Sequence, residues 1–292
     1  MTTATSPDRV SMTGQRVLIT GANTGIGKWT AIGLAQRGAA VAIHSRNPEK
    51  GRAAQEEIRR HSGAADVDLL LADFSSLAEV RRLAAEVLER YPRLDVLVNN
   101  AGLISGRRAE SADGYELTFA VNHLAPFLLT NLLLDRIVAS APARIVTVSS
   151  RAHLRAAIDF DDLDVSHGYQ AMDAYGRSKL ANVLFTRELA RRLEGTGVTA
   201  NCLHPGVVRS DFGSSGDLGG IMGAGWAVMQ PFLLSPKQGA DTSIHLASSP
   251  DVAAISGEYF DRRRVARTST RARDMAAAER LWRISAERVG LS

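Results

Sequence analysis

Apolar runs of strand length alternate with amphipathic stretches of helix length along most of this chain. The apolar runs predict strands at residues 16–20, 40–44, 67–71, 95–99, 144–149, 198–203 and 257–260. Helices are predicted between them: from 25 to about 37, from 48 onward, over 76–90, up to about 138, and from the region of Tyr175 to about 193. Because the strands are apolar almost throughout, both faces of the sheet should be buried. The alternation predicts right-handed βαβ units, and therefore a single-domain α/β fold with a doubly wound parallel β-sheet of about seven strands and helices on both faces.

The sequence indicates a single domain, because nothing divides the pattern of strands and helices into separate parts. Neither an internal repeat nor a Pro/Ser-rich linker divides the 292 residues, so residues 14–292 should form one catalytic domain. Residues 1–13 are polar and lack the apolar core of a signal peptide, and we expect them to be a flexible tail. The single cysteine, Cys202, excludes a disulfide within the chain and suits a reducing compartment. The expected location is the cytoplasm.

Composition narrows the possible partners. The formal net charge is only +4, aromatic residues make up 5% of the chain, and no basic stripe is interleaved with aromatic residues, so no nucleic acid is expected. The histidines show no spacing typical of metal ligands, and the acidic run Asp159, Asp161, Asp162 and Asp164 is interpreted as a solvated loop. No metal is expected. The chain also lacks the G-x-S-x-G elbow of a hydrolase.

A glycine-rich segment joins the first predicted strand to the first predicted helix. Residues 20–27 read Thr-Gly-Ala-Asn-Thr-Gly-Ile-Gly, with glycines at 21, 25 and 27. Glycines allow a tight turn and close approach of the backbone to a pyrophosphate, and the helix N-terminus presents free N–H groups. The spacing differs from the usual G-x-G-x-x-G fingerprint, so this is a wider loop. The segment predicts a dinucleotide site, and a plain strand-to-helix turn is the alternative.

The end of the second strand indicates which dinucleotide binds. Strands at this place in NAD-binding sheets usually end in Asp or Glu, which binds the ribose 2′-hydroxyl. Here the strand ends in His44-Ser45-Arg46. Arg46 suits a 2′-phosphate, with Ser45 as a hydrogen-bond partner, so NADP(H) is predicted as the cofactor in preference to NAD(H). The alternative is that Arg46 is an ordinary surface residue.

Tyr175 and Lys179 supply candidate proton-transfer chemistry. They are four residues apart on a predicted helix, and so lie on one face one turn apart. A nearby ammonium favours phenolate, so Lys179 is expected to lower the pKa of Tyr175 from about 10. Tyr175 could then exchange a proton with an alcohol or carbonyl. Taken alone, a half-buried Tyr beside a solvated Lys is the simpler interpretation.

Five motifs occur in the order found in the short-chain dehydrogenase/reductase family. They are residues 20–27, Asp73, Asn-Asn-Ala-Gly at 99–102, Ser150 with the Tyr175/Lys179 pair, and Pro-Gly-Val-Val-Arg-Ser at 205–210. Through them the chain resembles that family from Val17 to Leu291, and the stretches 175–190, 204–210 and 279–282 resemble its retinol-dehydrogenase-like branch. The resemblance implies a Rossmann-type fold and an NADP-dependent alcohol dehydrogenase or carbonyl reductase.

The resemblance also implies roles for individual residues. The catalytic set would be Asn122, Ser150, Tyr175 and Lys179: Ser150 would donate to the substrate oxygen, Lys179 would bind the nicotinamide ribose, and Asn122 would hold a water linking Lys179 to solvent. The cofactor contacts, including those argued above, would be Gly21, Asn23, Thr24, Gly25, Ile26, Gly27, Ser45, Arg46, Asp73, Phe74, Asn99, Ala101, Gly102, Tyr175, Lys179, Pro205, Gly206, Val208 and Ser210.

Several of these cofactor contacts have a specific expected partner. Asp73 would accept a hydrogen bond from the adenine amino group, and Asn99 and Gly102 would bring backbone close to the adenosine ribose. The 205–210 motif would hold the carboxamide. Each residue also has a structural interpretation: Asn122 as a helix-surface amide, Ser149 or Ser150 as the start of a loop, and Asp73 as the N-cap of the helix near Ser76.

An uncharged stretch at 218–234 follows the sixth strand. Pro231 and several glycines argue against a membrane-spanning helix. We expect a substrate lid over about 210–236 that covers an apolar carbonyl or alcohol substrate; peripheral contact with a membrane or with a subunit is the alternative. Helices around 116–138 and 171–193 are expected to pair in a homo-oligomer, a dimer or tetramer, as is usual in the family. A conjugated C=C reductase and a non-catalytic NADP(H)-sensing protein remain alternative functions.

Overall fold

The computed structural model describes residues 10–64, 66–208 and 233–291. Within these residues the sheet has eight strands in the order β3-β2-β1-β4-β5-β6-β7-β8. The strands are β1 Arg16–Ile19, β2 Ala40–Ser45, β3 Val67–Leu71, β4 Val96–Asn99, β5 Ala143–Val148, β6 Val198–His204, β7 Tyr259–Asp261 and β8 Arg264–Val265. The first seven are parallel and β8 runs antiparallel to β7. The predicted doubly wound α/β fold is confirmed, and β8 is an addition too short to give an apolar pattern.

Helices cover both faces of the sheet. They are α1 Gly25–Ala35, α2 Pro48–Ser62, α3 Leu77–Arg90, α4 Leu117–Phe119, α5 Ala125–Ala139, α6 Ala171–Arg192, α7 Pro236–Gly239, α8 Asp241–Ser248 and α9 Met275–Arg288. Side chains of β1 alternate between the two layers: Leu18 packs with α3, α5 and α6, while Val17 and Ile19 pack with α1 and α2. This alternation follows from the twofold period of a strand, and it explains why the strands are apolar throughout.

The topology gathers the predicted site residues at one edge. The chain leaves β1 for β2 on one side and reaches β4 on the other, so the direction of strand order reverses between β1 and β4. Ligands of open α/β sheets bind at such a reversal, beyond the carboxyl ends of the strands. The glycine loop after β1, Arg46 after β2, Asp73 after β3 and Ser150 after β5 all follow carboxyl ends.

The C-terminal helix α9 packs across the outer layer. Its Trp282 ring lies 4.9 Å from the ring centroid of Phe127 in α5 and 5.8 Å from that of Phe185 in α6. The Arg192 guanidinium sits 4.3 Å above the same indole. Further contacts fix this helix: Arg288 makes two hydrogen bonds to the Asp164 carboxylate, at 3.0 and 2.8 Å. Asp164 is therefore tied into the fold, whereas Asp161 in the same acidic loop is 95% exposed as expected.

Two predictions concern membranes and the lid. The continuous helical stretch Leu117–Ala139 is long and apolar enough to cross a membrane by length and composition, but 78% of its most apolar window is buried inside the fold, as in a core helix. The lid prediction lies outside the described residues except at its end, as does the tail except for residues 10–13. At that end Leu234 pairs in parallel with Val208, and its N–H donates to the carbonyl of Val207 at 2.9 Å.

Candidate active site

The glycine loop leaves a helix N-terminus open. Gly21 and Gly25 have φ of +62° and +57°, in the left-handed region that favours glycine. Thr24 precedes α1 without a side-chain cap, and the first turn of this fully described helix holds no acidic residue. Among the described residues, no heavy atom lies within 4 Å of a Cβ placed at Gly25. The first turn of α1 therefore lacks a side-chain cap, and its N–H groups are the kind of donors that bind a pyrophosphate.

Asn100 holds this loop in place. Its Nδ2 donates to the carbonyls of Thr20 at 2.8 Å and Gly21 at 3.1 Å. The Thr20 hydroxyl in turn accepts from the backbone N–H groups of Asn100 and Ala101, both at 3.0 Å. Asn100 is not among the predicted cofactor contacts, and its position inside the Asn-Asn-Ala-Gly motif was the only available signal. Asn100 therefore fixes the conformation of the glycine loop.

The base end of the site partly departs from expectation. Arg46 is exposed at the end of β2, where a 2′-phosphate could reach it. Ser45 is fully buried and its hydroxyl donates to the carbonyl of Asn47 at 2.8 Å, so it shapes the turn and does not face the site. Asp73 accepts at Oδ1 from the N–H and hydroxyl of Ser75, at 2.9 and 2.8 Å. Ser76 caps α3, so the interpretation of Asp73 as the N-cap is wrong.

Ser150, and not Ser149, neighbours the tyrosine. The buried Ser149 hydroxyl donates to the carbonyl of Lys179 at 2.8 Å, which ties β5 to α6. Ser150 is half-buried, begins the 3₁₀ turn Arg151–Leu154, and forms a side-chain hydrogen bond with Tyr175. Its Oγ also accepts from the N–H of Ala152 at 3.2 Å, which leaves its own proton for the tyrosine oxygen.

Lys179 and Tyr175 have displaced pKa values. Burial raises the pKa of Tyr175 to about 12, opposed by its hydrogen bond with Ser150, and burial lowers the pKa of Lys179 to about 8. Lys179 Nζ donates to the carbonyl of Val148 at 3.0 Å and lies 5.5 Å from the centroid of the Tyr175 ring. The prediction that Lys179 brings the pKa of Tyr175 below 10 is wrong, because desolvation of the buried phenolate raises that pKa.

Asn122 lies in a π-helical turn, Ala120–Leu124, between α4 and α5. Such turns are rare and occur frequently at functional sites. The Asn122 side chain is fully buried. Its Oδ1 accepts from the N–H of Leu103 at 2.7 Å, and its Nδ2 donates to the Leu103 carbonyl at 2.9 Å and to Ser178 Oγ at 3.0 Å. The helix-surface interpretation is therefore wrong. The amide holds the loop after β4 against the catalytic helix.

The remaining predicted contacts surround this centre. A Cβ at Gly102 would lie 3.1 Å from Asn122 Oδ1 and 3.4 Å from Lys179 Nζ, so glycine lets the backbone approach both. Asn99 is buried and donates to Thr130 Oγ1 at 2.9 Å, a structural contact between β4 and α5. Pro205, Gly206 and Val208 follow β6, and Ser210 lies outside the described residues. Across residues 10–64, 66–208 and 233–291, no group of His, Cys, Asp or Glu side chains is arranged to hold a metal.

The chain is similar to a known protein family and to several of its characterised members. The profile of a family described as short chain dehydrogenase matches residues 15–217. Retinol dehydrogenase 12 of Mus musculus is 46% identical over 282 residues, which cover 97% of this chain and 88% of the relative. Retinol dehydrogenase 13 of Homo sapiens is 44% identical over 296 residues, which cover 98% and 87%.

Solved structures are also similar to this chain. An uncharacterised protein from Mycobacterium Paratuberculosis superposes with a TM-score of 0.78 at 34% identity, covering 97% of this chain and 96% of that one. The Pseudomonas aeruginosa RhlG/NADP active-site complex superposes with a TM-score of 0.69 at 31% identity, covering 88% and 97%. Sequence, fold and site geometry agree, and this chain belongs to the short-chain dehydrogenase family, in its retinol-dehydrogenase-like branch of oxidoreductases.

Proposed function

We propose that this oxidoreductase transfers hydride between NADP(H) and the carbonyl or alcohol carbon of an apolar small molecule. The observation that carries the proposal is the arrangement of three groups at the carboxyl edge of the sheet. The Ser150 and Tyr175 hydroxyls are hydrogen-bonded to each other, and the buried Lys179 ammonium lies one helical turn along α6. A bound nicotinamide would supply or accept the hydride.

The protein's own groups would manage charge and proton. With its pKa raised to about 12, Tyr175 carries its proton at neutral pH, and can give it to an oxygen that becomes negative during carbonyl reduction. Ser150 can turn its hydroxyl proton to the same oxygen. Lys179, whose pKa is lowered to about 8, is still charged at neutral pH and stabilises negative charge on the phenolic oxygen left behind. In alcohol oxidation the same groups act in reverse.

Two observations support NADP(H) as the cofactor. Arg46 is exposed directly after β2, and the strand end His44-Ser45-Arg46 carries no carboxylate that would repel a 2′-phosphate. One of the solved relatives is a complex with NADP. Because the Ser45 hydroxyl is occupied by Asn47, the selectivity would depend on Arg46.

The relatives and the sequence support an apolar substrate. The two relatives from mouse and human reported above are named as dehydrogenases of retinol, an apolar alcohol. The stretch 218–234 holds no charged residue, and it ends at Leu234, which pairs with Val208 shortly after β6. An uncharged insertion at this place suits a long apolar alcohol or aldehyde better than a sugar or a carboxylic acid.

The test is a substrate panel with the intact protein, followed by nicotinamide absorbance. We expect NADPH-dependent reduction of apolar aldehydes or ketones to a new hydroxyl, and Tyr175→Phe should lower kcat by about 10²–10⁴-fold with the NADPH Kd unchanged. Tyr91→Phe is the matched control, because its hydroxyl binds Asp68 and lies outside the site. Arg46→Asp should shift preference toward NADH.

Each part of the proposal has its own contrary result. Near-normal turnover by Tyr175→Phe would remove the catalytic assignment, and equal dissociation constants for NADPH and NADH would remove the cofactor preference. A saturated bond in the product would show C=C reduction instead. Nucleotide binding without turnover on any aldehyde, ketone or quinone would favour a sensing protein.

A further inference from the structure

His44 in β2 is buried, with 3% of its surface exposed, and both of its ring nitrogens have backbone partners. The N–H of Gly21 donates to Nδ1 at 3.2 Å, and Nε2 lies 3.0 Å from the carbonyl of Ala72. A backbone N–H can only donate and a carbonyl can only accept. These partners therefore assign one neutral tautomer, with Nδ1 bare and the proton on Nε2.

The imidazole connects three strand ends of the nucleotide site. Gly21 belongs to the glycine loop after β1, His44 is in β2, and Ala72 follows β3. The carbonyl of His44 also accepts from the N–H of Ala22 at 3.0 Å, so two successive N–H groups of the loop end on one residue. The ring stacks on Phe74 at 4.2 Å and an interplanar angle of 16°, next to Asp73.

The Gly21 bond is one that few side chains could make at this depth. It requires an acceptor on a residue that is almost out of water, and this acceptor must be directed at a backbone N–H of the glycine loop. A protonated ring would present an N–H to the Gly21 N–H and lose the contact, and burial keeps the ring neutral by lowering the pKa of His44 to about 4.

We propose that His44 is a positioning residue for nucleotide binding. Its unprotonated Nδ1 fixes the position of the Gly21 N–H, and this orients the glycine loop toward the pyrophosphate. The inference rests on the NADP(H) site proposed above. His44 reaches neither Tyr175 nor Ser150 by any contact described, so its loss should change nucleotide affinity and leave the chemical step alone.

Three substitutions separate the two hydrogen bonds from packing. His44→Asn can place an amide oxygen near the position of Nδ1, and so keeps an acceptor for Gly21. His44→Gln reaches toward the position of Nε2, and so keeps a donor for the Ala72 carbonyl. His44→Phe keeps the stacking on Phe74 and neither bond. The control is His61→Gln, an exposed histidine on α2 that lies against Trp29.

The measurements are the NADPH Kd by titration of nucleotide fluorescence, kcat at saturating NADPH, and the thermal midpoint of each variant. An unpaired buried donor costs enough that His44→Phe and His44→Gln should raise the Kd about tenfold or more. His44→Asn should stay within about threefold of the wild type, with kcat of all three within about twofold. The control should bind as the wild type does.

Several outcomes would overturn the proposal. A wild-type Kd in His44→Phe would do so, as would equal weakening in His44→Asn and His44→Gln, which would point to packing alone. Weak binding by His44→Asn with normal binding by His44→Gln would assign the effect to Ala72. If the wild-type protein bound neither NADPH nor NADH, the proposed function would fall as well, whereas the other outcomes leave it standing.

Discussion

Adding one methyl group at Gly27 should weaken nucleotide binding, although the substitution is favourable for a helix. Alanine is preferred to glycine in a helix interior by about 1 kcal/mol. A Cβ at Gly27 would lie 2.6 Å from the carbonyl oxygen of Gly21 and 2.5 Å from Asn100 Nδ2. Ordinary contact begins at 3.4 Å, so the glycine loop must retreat by about 0.8 Å. Crowding of this kind costs about 1–3 kcal/mol, which exceeds the gain in propensity.

The consequence for binding is larger than that for stability. Good N–H···O bonds span only about 2.7–3.2 Å, so a retreat of about 0.8 Å takes N–H groups of the loop out of reach of a pyrophosphate. Loss of one hydrogen bond to a charged group, about 1.5–3 kcal/mol, corresponds to a rise in Kd of about tenfold or more. The assay is titration of Gly27→Ala with NADPH, together with thermal unfolding.

Gly63→Ala is the matched control. Gly63 ends α2 with φ +73° and, within the described part of the chain, has no heavy atom within 4 Å of its Cβ position. Alanine there costs about 1–2 kcal/mol of backbone strain and touches nothing near the site. Both variants should be less stable, and only Gly27→Ala should bind poorly. The reasoning is refuted if Gly27→Ala binds like the wild type, or if Gly63→Ala loses the same affinity.

Two further predictions concern α6 and α9. The kcat/KM of carbonyl reduction should fall above about pH 8, because the lowered pKa of Lys179 means that its ammonium is present below that pH and lost above it. In Lys179→Arg the fall should move to higher pH, since guanidinium stays charged; a wild-type profile flat to pH 10 would contradict this. Trp282→Ala should lower the free energy of unfolding in urea by about 2–3 kcal/mol, less than for a fully buried Trp because the ring is half-buried. Arg283→Ala, exposed on the same helix, is the control, and a loss no larger than that of the control would contradict the packing of α9.

The sequence was sufficient for the parts of this protein that repeat a local rule. Apolar runs located the seven parallel strands, and the glycines at 21, 25 and 27 located the loop after β1. Residues whose role depends on contacts across the sheet were not recognised. Asn100 and His44 both hold the glycine loop, but Asn100 follows β4 and His44 lies in β2, and no spacing in the chain links either residue to Gly21.

Electrostatic predictions failed for a related reason. The spacing of four residues on a helix correctly places Tyr175 and Lys179 side by side, and this proximity alone suggests that the pKa of the tyrosine is lowered. The direction is instead set by how much water each group loses on burial, and burial depends on the tertiary fold. Ser45 is similar: its hydroxyl turned toward Asn47 because the next residues form a tight turn into α2.

Helix α9 has a consequence for how copies of this protein could associate. We predicted that the two long helices now seen as α5 and α6 would join neighbouring subunits. The Trp282 ring already packs against Phe127 and Phe185, and the Arg192 guanidinium lies above the indole. Helix α9 of the same chain therefore covers this surface of α5 and α6. A second copy could pack on the same surface only if α9 were displaced, and Trp282 would then lose its contacts with Phe127 and Phe185.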